Sequence, residues 1–143
     1  MLTFVEIKPN EDFSSSYEIR KAVFVDEQNI PIENEMDGLD AKCFHIVLYD
    51  DAAPIGSGRL YINHDSARLG RVAVLQNERG KGYATLICKA LIDIAKRENA
   101  KRITLDSQSY VVPLYKKLGF ISEGDEFLEE GIPHFKMYME LSE

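Results

Sequence analysis

Basic residues are the scarce charge in this chain. Lys and Arg number 17 against 24 Asp and Glu, a formal net charge of −7. Nucleic acid and anionic membrane both select positive surfaces, so neither is expected as a partner. A cationic ligand suits the balance better. Cysteine is scarce too: Cys43 and Cys88 sit in apolar-patterned segments without metal-site spacing, and read as buried free thiols of a reducing compartment. No apolar run approaches the ~20 residues of a membrane span, and no signal-peptide pattern opens the chain. A cytoplasmic location is therefore expected. Repeats, linkers and low-complexity segments are also missing. The 143 residues, 45% hydrophobic, are expected to form one domain over 1–143.

The most informative stretch runs from Arg71 to Arg97. Val72 and Val74 alternate with Arg71 and Ala73 as in a strand. Arg79, Gly80, Lys81, Gly82, Tyr83 and Ala84 follow as a glycine-rich turn. Tyr83, Leu86, Ile87, Ala90, Leu91 and Ile94 then recur at helical spacing. The first N–H groups of a helix have no intrahelical partner and lie at the positive end of its dipole. Two glycines let a phosphate approach the backbone, and Arg79 and Lys81 add charge, so the turn suits a pyrophosphate. The same residues also suit a tight connection with solvated charges. Neither a Walker A loop nor a Gly-x-Gly-x-x-Gly turn is present.

Taken in order, Leu2 to Lys8 reads as a strand. Ser15 and Glu18 have capping-box spacing at the start of a helix that Pro31 limits. Glu33, Glu35, Asp37 and Asp40 surround Gly38 in a segment that reads either as a solvated acidic loop or short helix, or as one wall of an amine site. Cys43–Tyr49 and Pro54–Asn63 form a hairpin, with Gly56 and Gly58 marking a bulge. A third strand of this set ends at Leu75. After the long helix come a strand over Arg102–Asp106, a short helix over Val111–Lys117, a strand beginning at Phe120, an acidic loop over Glu123–Gly131, and a final strand over His134–Leu141. The order β-α-β-β-β-α-β-α-β-β predicts an α+β sandwich around a mixed, largely antiparallel sheet.

Two motifs carry a family resemblance. Arg79-x-x-Gly82-x-Ala84 after Val-Ala-Val resembles the acetyl-CoA motif of the GNAT N-acetyltransferases. Leu114-Tyr115-Lys116-Lys117-Leu118-Gly119-Phe120 resembles the family's second signature. Val23–Gln28, Met36–Asp40 and Glu130–His134 resemble the ElaA/YjcF-like subgroup. The resemblance spans almost the whole chain. It implies a sheet that splays after the fourth strand, with acetyl-CoA entering the notch. The pantetheine arm would pair with backbone groups of Val72, Ala73 and Val74, and Val74 N–H would polarise the thioester carbonyl. The turn from Arg79 to Thr85 would hold the pyrophosphate. Gln108 stands where many relatives carry a cofactor-contacting Asn, and Tyr110 is placed beside the cofactor or in ordinary packing.

Tyr115 matches the family tyrosine that protonates the leaving thiolate, and its phenol, with an ordinary pKa of ~10, is a suitable acid. His134, ordinary pKa ~6.5, is a candidate base, with Glu27 and Asp106 as alternatives. Glu27, Asp37, Asp106 and Glu129 are placed at the acceptor, a small cationic amine. The resemblance leaves room for a homodimer. A non-catalytic acyl-CoA-binding domain is the rival reading.

Overall fold

The structure is a computed structural model in which residues 1–141 are described; Ser142 and Glu143, the end of the expected 1–143 domain, lie outside the described residues. Seven strands form one sheet: β1 (Leu2–Ile7), β2 (Phe44–Asp50), β3 (Ala53–Asn63), β4 (Ser66–Val74), β5 (Arg102–Gln108), β6 (Ile121–Glu129) and β7 (Ile132–Glu140), in spatial order β1-β2-β3-β4-β5-β7-β6. The helices are α1 (Ser14–Arg20), continued by a π-helical segment (Lys21–Glu27), then α2 (Ile32–Glu35), α3 (Tyr83–Arg97) and α4 (Val112–Leu118). All strand neighbours are antiparallel except β4 and β5, which run parallel. The expected mixed, mostly antiparallel sandwich is therefore the fold.

The parallel pair is the feature that makes a site. β4 meets β5 only from Ser66 to Arg68, against Arg102 to Thr104. Beyond Arg68 the strands part, so a notch opens between the second halves of β4 and β5. A bulge bends β4 there: Ser57 faces Ala73 and Arg59 faces Gly70, so Arg71 and Val72 together oppose Gly58. Arg71 takes the left-handed φ of +52° that this geometry requires. Gly56 and Gly58 were expected to mark a bulge on β3. The extra residues are instead Ile55 on β3 and the Arg71–Val72 step on β4.

The two glycines serve the packing of α3. A Cβ at Gly58 would meet Leu91 Cδ1 at 2.8 Å and Ile87 Cγ2 at 2.9 Å, and one at Gly56 would meet Ile87 Cδ1 at 2.8 Å. The helix thus lies closer to β3 than a side chain would allow. Its buried face is Ile87, Cys88, Leu91, Ile92, Ile94 and Ala95. This is turned from the expected stripe, leaving Leu86 37% exposed, because the helix rests on a broad sheet that takes in positions 88, 92 and 95. Both cysteines are fully buried and free, as expected.

Two other expectations fail locally, and a third holds only in part. Ser15 makes no capping box, because α1 begins a residue earlier and Asp12 Oδ1 accepts from Ser14 N–H at 2.9 Å. The acidic segment from Glu123 is strand β6 rather than a loop, since β7 pairs with it from Ile121 to Glu129 around a bulge at Gly124–Glu126. Ile32–Lys42 opens with a short helix, α2, as one reading expected, but it is neither solvated throughout nor an open acidic wall. Glu35 and Asp40 are buried against Arg20, at 2.9 and 2.6 Å, and Asp37 and Asp40 both receive Arg59. Among the described residues no helix is long and apolar enough to cross a membrane.

Candidate active site

The notch widens into one cleft of about 490 Å³ that runs from the turn before α3 to the β6–β7 turn. At one end, Gly80 and Gly82 hold φ of +81° and +83°, and a Cβ on either would meet nothing within 4 Å. The first backbone bond of α3 runs from Leu86 N–H to Gly82 O at 3.3 Å. The N–H groups from Gly80 to Thr85 have no acceptor among the described residues. They form a concave, positively polarised nest beside the cleft, which fits an anion of phosphate size.

The charged side chains of this turn are placed differently from expectation. Arg79 gives both Nη groups to Glu27, at 2.6 and 2.7 Å, and its Nε to Val74 O at 2.9 Å. Lys81 pairs with Glu78 at 3.1 Å and does not line the cleft. The nest is therefore built of backbone. Glu27 is also outside the cleft lining, and its hydrogen bonds from Arg79 hold its carboxyl below the usual range. It is a poor base and a poor amine site. Asp37 likewise faces Arg59 and Arg71 rather than the cleft. Burial pushes its carboxyl up, but hydrogen bonds and charge from Arg59 outweigh this and hold it well below the carboxylate range.

Along the notch, Val72, Ala73 and Val74 line one side, and from Leu69 to Val74 no β5 residue pairs with β4. A row of β4 backbone groups is open to an extended ligand. On the other side stand Gln108, whose Nε2 donates to Gln28 Oε1 at 3.1 Å, and Tyr110, 76% exposed. Tyr83, Ala84, Thr85, Asp106 and Glu129 also line the cleft. Asp106 is bound by Arg68 at 2.5 Å.

Tyr115 and His134 both reach this cleft. Tyr115 comes from α4, which starts with Pro113 in its first turn and ends at Gly119, φ +107°. Its ring is buried and meets Phe120 edge-on at 5.8 Å. Burial, with the Cys88 thiol beside it, raises the phenol well above its ordinary value, so it stays protonated across the neutral range. Burial likewise pushes the Cys88 thiol up to about 12. His134 is 7% exposed and stacks on Phe127 at 5.8 Å. Its Nδ1 lies 2.7 Å from Ile132 O, an acceptor, so Nδ1 carries the proton. In the neutral ring Nε2 is then left with a free lone pair.

Several lining residues had no signal in the sequence: Asn34, Tyr61, Arg59 and Arg68; Gln28 and Arg71 lay in motif segments but were given no role. Arg59 and Arg71 sit in strands at positions where apolar residues are usual. Only the fold shows that the Glu35–Asp40 acids supply their partners.

A notched mixed sheet, an amide nest at a helix N-terminus, and a buried tyrosine and histidine in one cleft suit an enzyme that binds an extended ligand with an anionic head, as the acyl donors of acyltransferases are. The profile of the Acetyltransferase (GNAT) domain matches residues 12–141. The uncharacterized N-acetyltransferase YjcF of Bacillus subtilis is 39% identical over 131 residues, covering 91% of this chain and 94% of that one. The crystal structure of Escherichia coli ElaA superposes with a TM-score of 0.89 at 25% identity, covering 98% and 100% of the two chains. A Bacillus subtilis acetyltransferase solved in complex with CoA shares the fold, TM-score 0.76 at 16% identity, covering 99% and 100%. The chain belongs to the GNAT family of N-acetyltransferases, in its ElaA/YjcF-like branch.

Proposed function

We propose that this protein transfers an acetyl group from acetyl-CoA to the primary amine of a small cationic acceptor, with both substrates bound in the cleft. The observation that carries the reading is the content of that single cleft. The amide nest, the open β4 edge, Tyr115 and His134 all line it, and so do Glu129 and Glu130. The lining acids Glu35, Glu78 and Asp106 each have a cationic partner within 4 Å; Glu129 and Glu130 have none among the described residues.

When bound, acetyl-CoA supplies a thioester carbonyl, whose carbon gains the amine nitrogen and loses sulfur. The amides from Gly80 to Thr85 would hold its pyrophosphate, and the backbone of Val72 to Val74 its extended arm. His134 Nε2 accepts the proton that the amine nitrogen gives up. The Tyr115 hydroxyl, kept protonated by burial, donates a proton at the sulfur. Holding both reactants in one pocket supplies much of the acceleration. Glu129 and Glu130 draw a cation to the mouth but also favour its charged, unreactive form. His134 answers that cost. The buried free thiols support a cytoplasmic site of action.

Thiol release with a panel of amines tests the reading. Cationic amines should outcompete amino acids that carry a free carboxylate. Glu129→Gln should raise KM for the cationic ones at low ionic strength, and the difference should shrink as salt screens it over ~8–10 Å. Binding of acetyl-CoA without thiol release from any amine would instead indicate a sensing domain.

A further inference from the structure

The β6–β7 connection is a two-residue turn, Glu130-Gly131, with φ of +54° and +72°. Both residues must be left-handed in such a turn, and Asn, Asp or Gly normally fill its first position. Here a long carboxylate fills it. The side chain reaches across to α2, where Asn34 Nδ2 donates to both Glu130 oxygens at 3.2 Å. Asn34, Glu130, Ile132 and His134 all line the cleft.

We infer that the acceptor carries a second cationic group, which Glu130 receives in place of the Asn34 amide while His134 faces the reacting amine. This rests on the acetyl-transfer reading above. Two independent observations converge on it. The first is the symmetric position of the Asn34 nitrogen between the Glu130 oxygens, where a ligand nitrogen would sit. An ammonium there makes charge-assisted bonds, roughly twice as strong as those of a neutral amide. The second is His134, 7% exposed, whose Nδ1 is committed to Ile132 O and whose Nε2 has no partner among the described residues. Ile132, the first residue of β7, lies between Glu130 in the turn and His134 two residues on, roughly 7 Å along the strand. The wall of the cleft therefore presents a base, an apolar side chain and a carboxylate in that order. An α,ω-diamine offers the complement: a reacting amine, methylenes and a distal ammonium. Asn34 is then a gate on the distal site, and chain length a criterion of selection.

The test is steady-state thiol release at low salt with straight-chain α,ω-diamines from propane to octane and with n-alkylamines of equal length. The wild type should show a length optimum for diamines and none for monoamines. Glu130→Gln keeps the size and the Asn34 contact but removes the charge. It should lower the diamine-to-monoamine ratio of kcat/KM about tenfold, the worth of one charged hydrogen bond, mainly through KM. Asn34→Ala should raise the same ratio by unmasking the carboxylate. Diamines and monoamines that track each other in the wild type, or a Glu130→Gln ratio equal to wild type, would overturn the inference and leave acetyl transfer standing. Thiol release from no amine, with acetyl-CoA bound in calorimetry, would overturn the enzymatic reading and this inference together.

Discussion

Gly82, the residue before α3, shows how a single position separates backbone from side-chain recognition. Its φ of +83° strains most residues, but a Cβ there meets nothing within 4 Å. Asp tolerates left-handed backbone better than most, so Gly82→Asp should fold and report charge. We expect its Kd for acetyl-CoA to rise at least tenfold by titration calorimetry, with Gly82→Asn intermediate; an Asp variant that binds like wild type rejects the nest as the phosphate site. Tyr115→Phe tests the acid. Its kcat should fall roughly 10²–10⁴-fold, the usual range for general acid–base catalysis, while Kd for acetyl-CoA stays near wild type. Because burial raises the phenol, no loss of turnover from Tyr115 ionisation is expected below pH ~10. Equal turnover in an assay limited by chemistry removes Tyr115 from the mechanism. The positions of Gly82, Tyr115 and His134 were legible in the chain. The capture of Arg79 by Glu27 was not, since nothing local links residues so far apart.

Elements were easier to read where a periodic pattern agreed with the neighbour that covers it. α3 and β5 match their expected spans within two residues. The start of β6 was expected near Phe120, but its run on to Glu129 was missed because Glu123, Asp125, Glu126 and Glu129 have low strand propensity; pairing with β7 and exposure of the strand override it. The purpose of Gly56 and Gly58 was equally hidden, because it lies in the distance between α3 and β3. Gly58→Ala should therefore cost about 1–3 kcal/mol by overpacking against Leu91 and Ile87, measured as a lower urea midpoint. Gly70→Ala is the control, since a Cβ there has open space. Equal midpoints for the two variants would mean that α3 adjusts and that close packing is not what the glycine provides.

Across the whole molecule, stability and acid sensitivity share a cause. His45 is fully buried, with Ser16 Oγ at 3.3 Å from Nδ1 and Asp40 O at 3.0 Å from Nε2. Burial lowers its pKa, and Arg20 and Arg59 nearby add to this against the pull of Asp40. The unfolded chain binds this proton near pH ~6.5 and the folded chain does not, so stability begins to fall as pH drops below that value. Asp37 and Asp40 follow. Their folded values are depressed, so their contribution is full above the unfolded value of ~3.9 and is lost as pH falls below it. Urea midpoints against pH should show two declines, and His45→Gln should remove the upper one. An unchanged upper decline would assign it to another group.

Local order in the chain determined what local physics controls: the glycine turn before an amphipathic helix, the alternating strands, and the tyrosine motif on α4. Those features depend on neighbours three or four residues away, so spacing alone exposes them. Tertiary structure decided which charges are free. Arg79, Lys81, Glu27, Glu35, Asp37 and Asp40 looked available for binding or solvation, yet each is paired with an opposite charge in the fold. Glu129 and Glu130 line the cleft with no cationic partner within 4 Å among the described residues. Burying a charge is costly unless an opposite one is brought to it, and only the folded chain can bring it.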